Sequence, residues 1–245
     1  MIEQQLELAT GDGVCTTFVV HPERGGPHPL VLFYMDAPGI REELRDMARR
    51  LASVGYFVML PNLYYRQNVM ELGPLPVDPK APERARMFAL MHTVSIAGVL
   101  DDTRALLAWA GTQPAARTDR IGCVGYCMSG QFATNVAANF PERVRAAASI
   151  YGTELITDRP DSPHVVAARA KAEFYFACAG NDVFVPPEIP PALRAALARD
   201  GVNAEVEDYP GQAHGFAFAS RPGYHKPSAE RHWERLFALF ARRLA

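Results

Sequence analysis

Along this chain, short and continuously apolar runs alternate with longer stretches in which apolar residues recur every three or four positions. Leu30–Met35 (LVLFYM) and Tyr56–Leu60 are of the first kind, the pattern of strands buried on both faces of a parallel sheet. Roughly Arg41–Ser53 is of the second kind, with Leu44, Met47, Ala48 and Leu51 on one helical stripe that ends at Gly55. Upstream, Gln4–Leu8 and Val14–Val20 alternate around Thr10-Gly11-Asp12-Gly13, which predicts an N-terminal β-hairpin. Downstream, helices are predicted over Glu83–Met91 and Ser95–Ala110, and strands over Thr118–Val124, Val144–Tyr151, Phe174–Ala179 and Asn203–Tyr209. Two later helices follow over Pro191–Arg199 and Ala229–Leu244, the last with Trp233, Leu236, Phe237 and Phe240 as its buried stripe. Asn62–Pro82 has no such rhythm and carries four prolines from Pro74 on; a long loop after a strand's carboxyl end is a candidate cover for an active site. Strands alternating with helices of this length predict an α/β fold, a mostly parallel central sheet with helices on both faces. No Ser/Gly-rich linker interrupts the 245 residues, so one domain over 1–245 is expected.

One junction in this pattern carries chemistry. Ile121, Cys123 and Val124 form an apolar run that stops at Gly125, and from Met128 the pattern is helical, with Phe132, Ala133, Val136 and Ala137 on one face. A strand that ends on glycine and restarts at once as a helix must turn sharply, which pushes Cys127 out at the sheet's carboxyl edge beside a helix N-terminus. That is a place for a nucleophile, here a thiol. The G-x-nucleophile-x-G pattern fits at Gly125, Tyr126, Cys127 and Met128, while the fifth place is Ser129 and the glycine follows at Gly130. In the other register, with Ser129 as nucleophile, both glycines would be missing.

A thiol nucleophile needs a base, and the base needs an orienting acid. Asp182 follows the strand at Phe174–Cys178, and His214, between glutamine-alanine and glycine, follows the last strand. The order Cys127, Asp182, His214 is nucleophile, acid, base, the chain order of α/β-hydrolases. Of the seven histidines, His21, His28, His225 and His232 sit in polar or helix-surface contexts and are expected in solvent, and His92 and His164 have no strand-tip setting. For the oxyanion, Met128 offers one backbone N–H, and Ala37, which begins the turn after Met35, is the choice for the second. Tyr64, Tyr65 and Arg66, at a strand exit, are possible pocket residues.

Composition narrows the setting. With 49% hydrophobic and 21% charged residues the chain can bury a substantial core, and a net charge of −2 argues against a general nucleic-acid or membrane-surface binder. No apolar run reaches the ~18 residues of a membrane span, and the acidic, polar MIEQQLELATGDG is no secretory signal. Cys15, Cys123, Cys127 and Cys178 lack paired or zinc-type spacing, so reduced thiols in a cytoplasmic protein are expected.

Taken together, the DAPGI turn, PNLYYR (Pro61–Arg66), GYCMSG, GNDVFVP and GQAHGFAF resemble the dienelactone hydrolase (carboxymethylenebutenolidase) family across nearly the whole chain. The resemblance implies hydrolysis of an enol lactone or related ester through an acyl-thiol intermediate, with no metal or organic cofactor. It also implies a small-molecule ester or lactone partner; with the charge reading above, no nucleic acid or membrane partner is expected, and the chain is expected to be a monomer or small homo-oligomer. Two departures stand out. Where the family has a glutamate that contacts the resting cysteine, this chain has the shorter Asp36, expected to modulate the thiol. Where a family arginine grips the substrate carboxylate, Phe218 stands, with Arg221 three further on. The family's second such arginine falls near Arg84 or Arg86. Phenyl in place of a bidentate grip implies a less acidic, more apolar substrate. The rival reading is a hydrolase-fold receptor that binds such ligands with little turnover; a thiol redox sensor is a weaker one, as Cys123 is the sole cysteine close to Cys127 in sequence.

Overall fold

The protein is described by a computed structural model covering residues 1–73, 76, 78 and 80–245. Pro74, Leu75, Val77 and Pro79, part of the predicted irregular loop, lie outside the described residues. Eight strands, mostly parallel, and their flanking helices form two compact units, 1–118 and 119–245.

The first unit begins with the predicted hairpin, β1 (Ile2–Thr10) and β2 (Gly13–His21), paired antiparallel. The apolar runs become β3 (His28–Tyr34) and β4 (Phe57–Pro61), parallel to each other, with β4 antiparallel to β2 and the order β1-β2-β4-β3. All five residues of β4 are buried, which is why its sequence shows no alternation. Between them, α1 (Glu42–Ser53) lays Leu44, Met47, Ala48 and Leu51 against β2 and β4. Each such side chain taken fully from water stabilises the fold by about 1.5–3 kcal/mol for the larger ones. Helices α2 (Pro82–Met91) and α3 (Ile96–Ala110) follow, the latter capped by Ser95, whose hydroxyl accepts from the Gly98 N–H at 3.1 Å.

Tyr65 and Arg66, candidates for a pocket, belong instead to a polar network on α3. Asp102 is 1% exposed and accepts two N–H bonds from Arg66, at 2.9 and 2.8 Å, and one from the Tyr65 hydroxyl at 2.8 Å. The Tyr65 hydroxyl also meets Thr10 Oγ1 at 2.8 Å, which ties the hairpin turn to the helix. Removing one partner of a buried ion pair strands the other. Asp102→Ala is therefore expected to lower unfolding stability by about 3 kcal/mol in urea titration; a loss under about 1 kcal/mol, the range of exposed pairs, would mean the network holds nothing.

The second unit is a run of parallel strands in sequential order: β5 (Ala116–Tyr126), which starts at the junction, then β6 (Val144–Ile150), β7 (Glu173–Asn181) and β8 (Ala204–Ala213). Helix α4 (Gly130–Asn139) packs on β6, and α5 (Pro163–Val166) is a single turn absent from the sequence expectation. Helix α6 (Ile189–Arg199) packs on β8, and α7 (Lys226–Leu244) on β6 and β7. The buried stripe of α7 is Trp233, Leu236, Leu239 and Phe240, with Phe237 only half-buried. Three histidines expected in solvent are buried. His232 is 0% exposed with Nε2 3.0 Å from the Tyr126 hydroxyl, His21 stacks on Phe57 at 4.8 Å, and His28 is 6% exposed. Because β5, β7 and β8 run parallel, the residues that follow them share one edge. Those residues are Cys127, Asp182 and His214.

Candidate active site

The turn after β5 is as sharp as its sequence requires. Cys127 has φ +56°, a left-handed conformation that disfavours an L residue by about 1–3 kcal/mol, and it opens a single 3₁₀ turn, Cys127–Ser129, before α4. Gly125 is needed because a Cβ there would lie 2.0 Å from the Ser129 carbonyl oxygen. The second close approach is made by Gly130, not by the fifth residue of the pattern: a Cβ at Gly130 would meet Ser149 Oγ at 2.2 Å and Gly152 Cα at 2.7 Å. Ser129 itself is buried. The Thr153 N–H donates to the Cys127 carbonyl at 3.1 Å and holds the turn from the next loop.

Asp182 and His214 meet. His214 Nδ1 donates to Asp182 Oδ2 at 2.8 Å, and Asp182 Oδ1 accepts the Phe184 N–H at 2.9 Å, which fixes the carboxylate from both oxygens. The bond puts the proton on Nδ1 and leaves Nε2 as the nitrogen that Asp182 does not engage. Burial alone would lower the His214 pKa. It is outweighed by the charge of Cys127 and by the hydrogen bond and charge of Asp182, which together lift it from 6.5 to about 10. Nε2 is buried without a hydrogen-bond partner, so Cys127 acts on the ring through its charge. A raised folded pKa stabilises the fold fully below 6.5, and that stabilisation is lost as pH rises through about 10. Cys127→Ala removes the largest of the raising causes, so the His214 pKa is expected to fall well below about 10 in an NMR titration; an unchanged value would mean that Cys127 does not act on this ring.

Two aromatic rings flank the imidazole: Tyr151 at 5.0 Å and Phe184 at 4.8 Å, at interplanar angles of 60° and 75°. Tyr151 had no motif to mark it, and Phe184 lies within GNDVFVP without a role of its own; each is an aromatic beyond a strand's carboxyl end. A mostly apolar pocket that includes Leu155, Val185, Ile189 and Leu193 has Asp182 in its lining. Cys127 is half-exposed, whereas Cys15, Cys123 and Cys178 are buried free thiols. Burial pushes the Cys15 and Cys178 thiols up to about 12 and that of Cys123 higher still.

Other sequence candidates are placed as follows. Asp36 is 1% exposed and is held by Arg41, whose Nη1 donates to Oδ1 at 2.6 Å and Nη2 to Oδ2 at 3.2 Å. Arg41, read from the sequence only as the start of a helix, also holds Glu43 and the Gly39 carbonyl. Tyr64 is 0% exposed and its hydroxyl donates to the Ala37 carbonyl at 2.7 Å, so it pins the segment after β3 instead of lining an open pocket. Met128 is buried in the first turn after Cys127. Arg84, half-buried on α2, donates to the Pro76 carbonyl at 2.7 Å, and Arg86 is exposed. Phe218 is 1% exposed and packs against Tyr126 and Tyr151. Among the described residues no group of three or more His, Cys, Asp or Glu could hold a metal ion, and no helix is long and apolar enough to cross a membrane.

Parallel strands with helices between them, a residue on a strained strand-to-helix turn, and an acid–histidine pair on later strand tips define an α/β-hydrolase. The family profile described as "Dienelactone hydrolase family" matches residues 15–244, and the chain belongs to that family. A "Putative carboxymethylenebutenolidase" of Methylorubrum extorquens is 30% identical over 240 residues, covering 96% of this chain and 79% of that one. A "Carboxymethylenebutenolidase" of Pseudomonas putida is 26% identical over 227 residues, covering 91% and 90%. Among solved structures, a "Putative Dienelactone Hydrolase" from Klebsiella pneumoniae superposes with a TM-score of 0.86 at 27% identity, over 98% of each chain. The protein is a dienelactone hydrolase-like hydrolase.

Proposed function

We propose that this hydrolase opens lactones and cleaves carboxylic esters through an acyl-thiol intermediate on Cys127. The observation that carries the reading is the Asp182–His214 hydrogen bond, with the His214 pKa lifted by charge on Cys127. The Cys127 sulfur attacks the carbonyl carbon, its proton having passed to His214 Nε2. The tetrahedral intermediate collapses as the C–O bond breaks, and His214 gives that proton to the departing oxygen. For a lactone the leaving oxygen stays attached to the acyl chain. Once the sulfur is a thioester its charge is gone, and with it the main cause of the raised His214 pKa. The imidazole then becomes the base that takes a proton from water as water attacks the thioester, and it returns that proton to the departing sulfur. Asp182 keeps the imidazole in the required tautomer and stabilises its charged form.

The Met128 N–H is the oxyanion donor proposed beside the nucleophile, and the Ala37 N–H is proposed as the second from its place after β3. Asp36 as a modulator of the thiol rests on the family resemblance. The missing arginine at Phe218 supports a neutral substrate. With no guanidinium at that place, a panel of p-nitrophenyl esters and lactones should show neutral lactones turned over at least as well as carboxylated ones. A clear preference for carboxylated substrates would refute the neutral-substrate reading. Thermal stabilisation by lactones without product release would refute the enzyme and favour a receptor.

A further inference from the structure

We propose that the loop Tyr151–Glu154 is a strained strap that sets the Cys127–His214 geometry, with Tyr151 as a positioning residue for the imidazole. The proposal rests on the roles of Cys127 and His214 given above. Four non-glycine residues among those described have a left-handed φ: Asn68, Cys127, Tyr151 (+37°) and Glu154 (+58°). Three of these four lie where β5 and β6 end. For a bulky aromatic such a φ is an outlier, and it persists only where the surroundings over-determine it.

The surroundings do so from several directions. The Tyr151 N–H donates to the Ala177 carbonyl at 2.7 Å. Its ring, 1% exposed, stands edge-on to Phe216 at 5.2 Å and to Phe218 at 5.9 Å, and contacts His214 at 5.0 Å. The next residue is a glycine in a tight place, where a Cβ would fall 2.1 Å from Ser149 Oγ and 3.2 Å from Gly130 Cα. One residue further, Thr153 donates its N–H to the Cys127 carbonyl. Glu154 takes Arg159 Nη1 at 3.0 Å, and Arg159 Nη2 reaches Gln131 Oε1 at 2.9 Å in the first turn of α4. One short loop thus holds the nucleophile's backbone at Thr153 and the base's ring at Tyr151. Letting φ of Tyr151 relax would draw one of those contacts away. The bond to Asp182 fixes Nδ1 but leaves the imidazole free to swing about that bond. The Tyr151 ring at 5.0 Å and the Phe184 ring at 4.8 Å restrict the swing of the imidazole.

Three variants separate the ring from the strain. Tyr151→Phe keeps the ring, Tyr151→Ala keeps the strain without the ring, and Tyr151→Gly keeps neither. On an ester the wild type turns over, Tyr151→Phe is expected to hold kcat within about threefold. Tyr151→Ala and Tyr151→Gly should lose about tenfold to a hundredfold in kcat with KM nearly unchanged, the scale of a small misplacement of a reacting group. The His214 pKa, read by NMR, should move in the last two and not in Tyr151→Phe. Tyr151→Gly should melt above Tyr151→Ala, because glycine accepts this φ. Retained kcat and an unmoved His214 pKa in Tyr151→Ala would overturn the proposal, and so would a loss in Tyr151→Phe as large as in Tyr151→Ala. Cys127→Ala run in parallel separates the two levels. If it stays active, the thiol mechanism fails and takes the strap's role with it. If it is inactive while Tyr151→Ala is not, only the strap fails.

Discussion

Cys127→Ala is expected to reduce kcat on any ester the wild type hydrolyses by roughly 10⁴-fold or more, the scale seen when a nucleophile is removed from a triad. What remains would be catalysis by binding and oxyanion donors, without a covalent step. The fold should survive. Alanine pays the same backbone penalty at φ +56° as cysteine, and the atom removed is a half-exposed sulfur. His214 keeps its 2.8 Å bond to Asp182. Circular dichroism and the melting temperature should therefore stay near wild type while activity disappears, and steady-state assays on both proteins make the comparison. Activity above a tenth of wild type would show that the thiol is not the attacking group. Cys127→Ser offers a second reading, since it retains a nucleophilic atom but a far less acidic one. It should fall between the two.

The largest effect on stability is expected at Gly125. Glycine is needed there because the start of the following helix passes across it: a Cβ would lie 2.0 Å from the Ser129 carbonyl oxygen and 2.4 Å from its carbon, both backbone atoms. Backbone cannot step aside without unmaking the turn that carries Cys127. Gly125→Ala should cost more than the 1–3 kcal/mol typical of overpacking, and a marginally stable domain would be left largely unfolded. Gly122→Ala, three residues earlier on the same strand, is the control. Its added Cβ would meet Phe240 and Leu244 at 2.9 Å, but those are side-chain ends on α7 that can shift. Urea titration of both should show a much deeper loss for Gly125→Ala; equal losses would mean that the elbow tolerates more than its geometry suggests.

The elements were legible because their signals are local. The apolar runs that became β3 and β4 and the stripe of α1 needed no knowledge of the rest of the chain. The turn at Cys127 was legible too, since Gly125 and the abrupt change of rhythm lie within a few residues of it. The exception was the second close contact, made by Gly130 against Ser149 and Gly152, partners from the next strand and loop. The misreadings share that cause. His232 looked like a surface residue because its partner, the Tyr126 hydroxyl, is 106 positions away. The partners of Tyr64, Tyr65 and Arg66 were hidden for the same reason, since Ala37 and Asp102, which engage them, are far off in sequence. Phe218, set at a binding place by alignment, packs among Tyr126 and Tyr151, contacts that no local pattern announces. Tyr151 was passed over because strain is a property of backbone angles, not of composition.

The uneven burial of the four thiols also gives the protein a built-in tally. Cys15, Cys123 and Cys178 are sealed and held protonated, and Cys127 alone is open to solvent. A mild electrophile meeting the folded protein therefore has one place to go. The moles it consumes count the folded chains with an open elbow, and the same site is the first to be lost when a preparation ages in air.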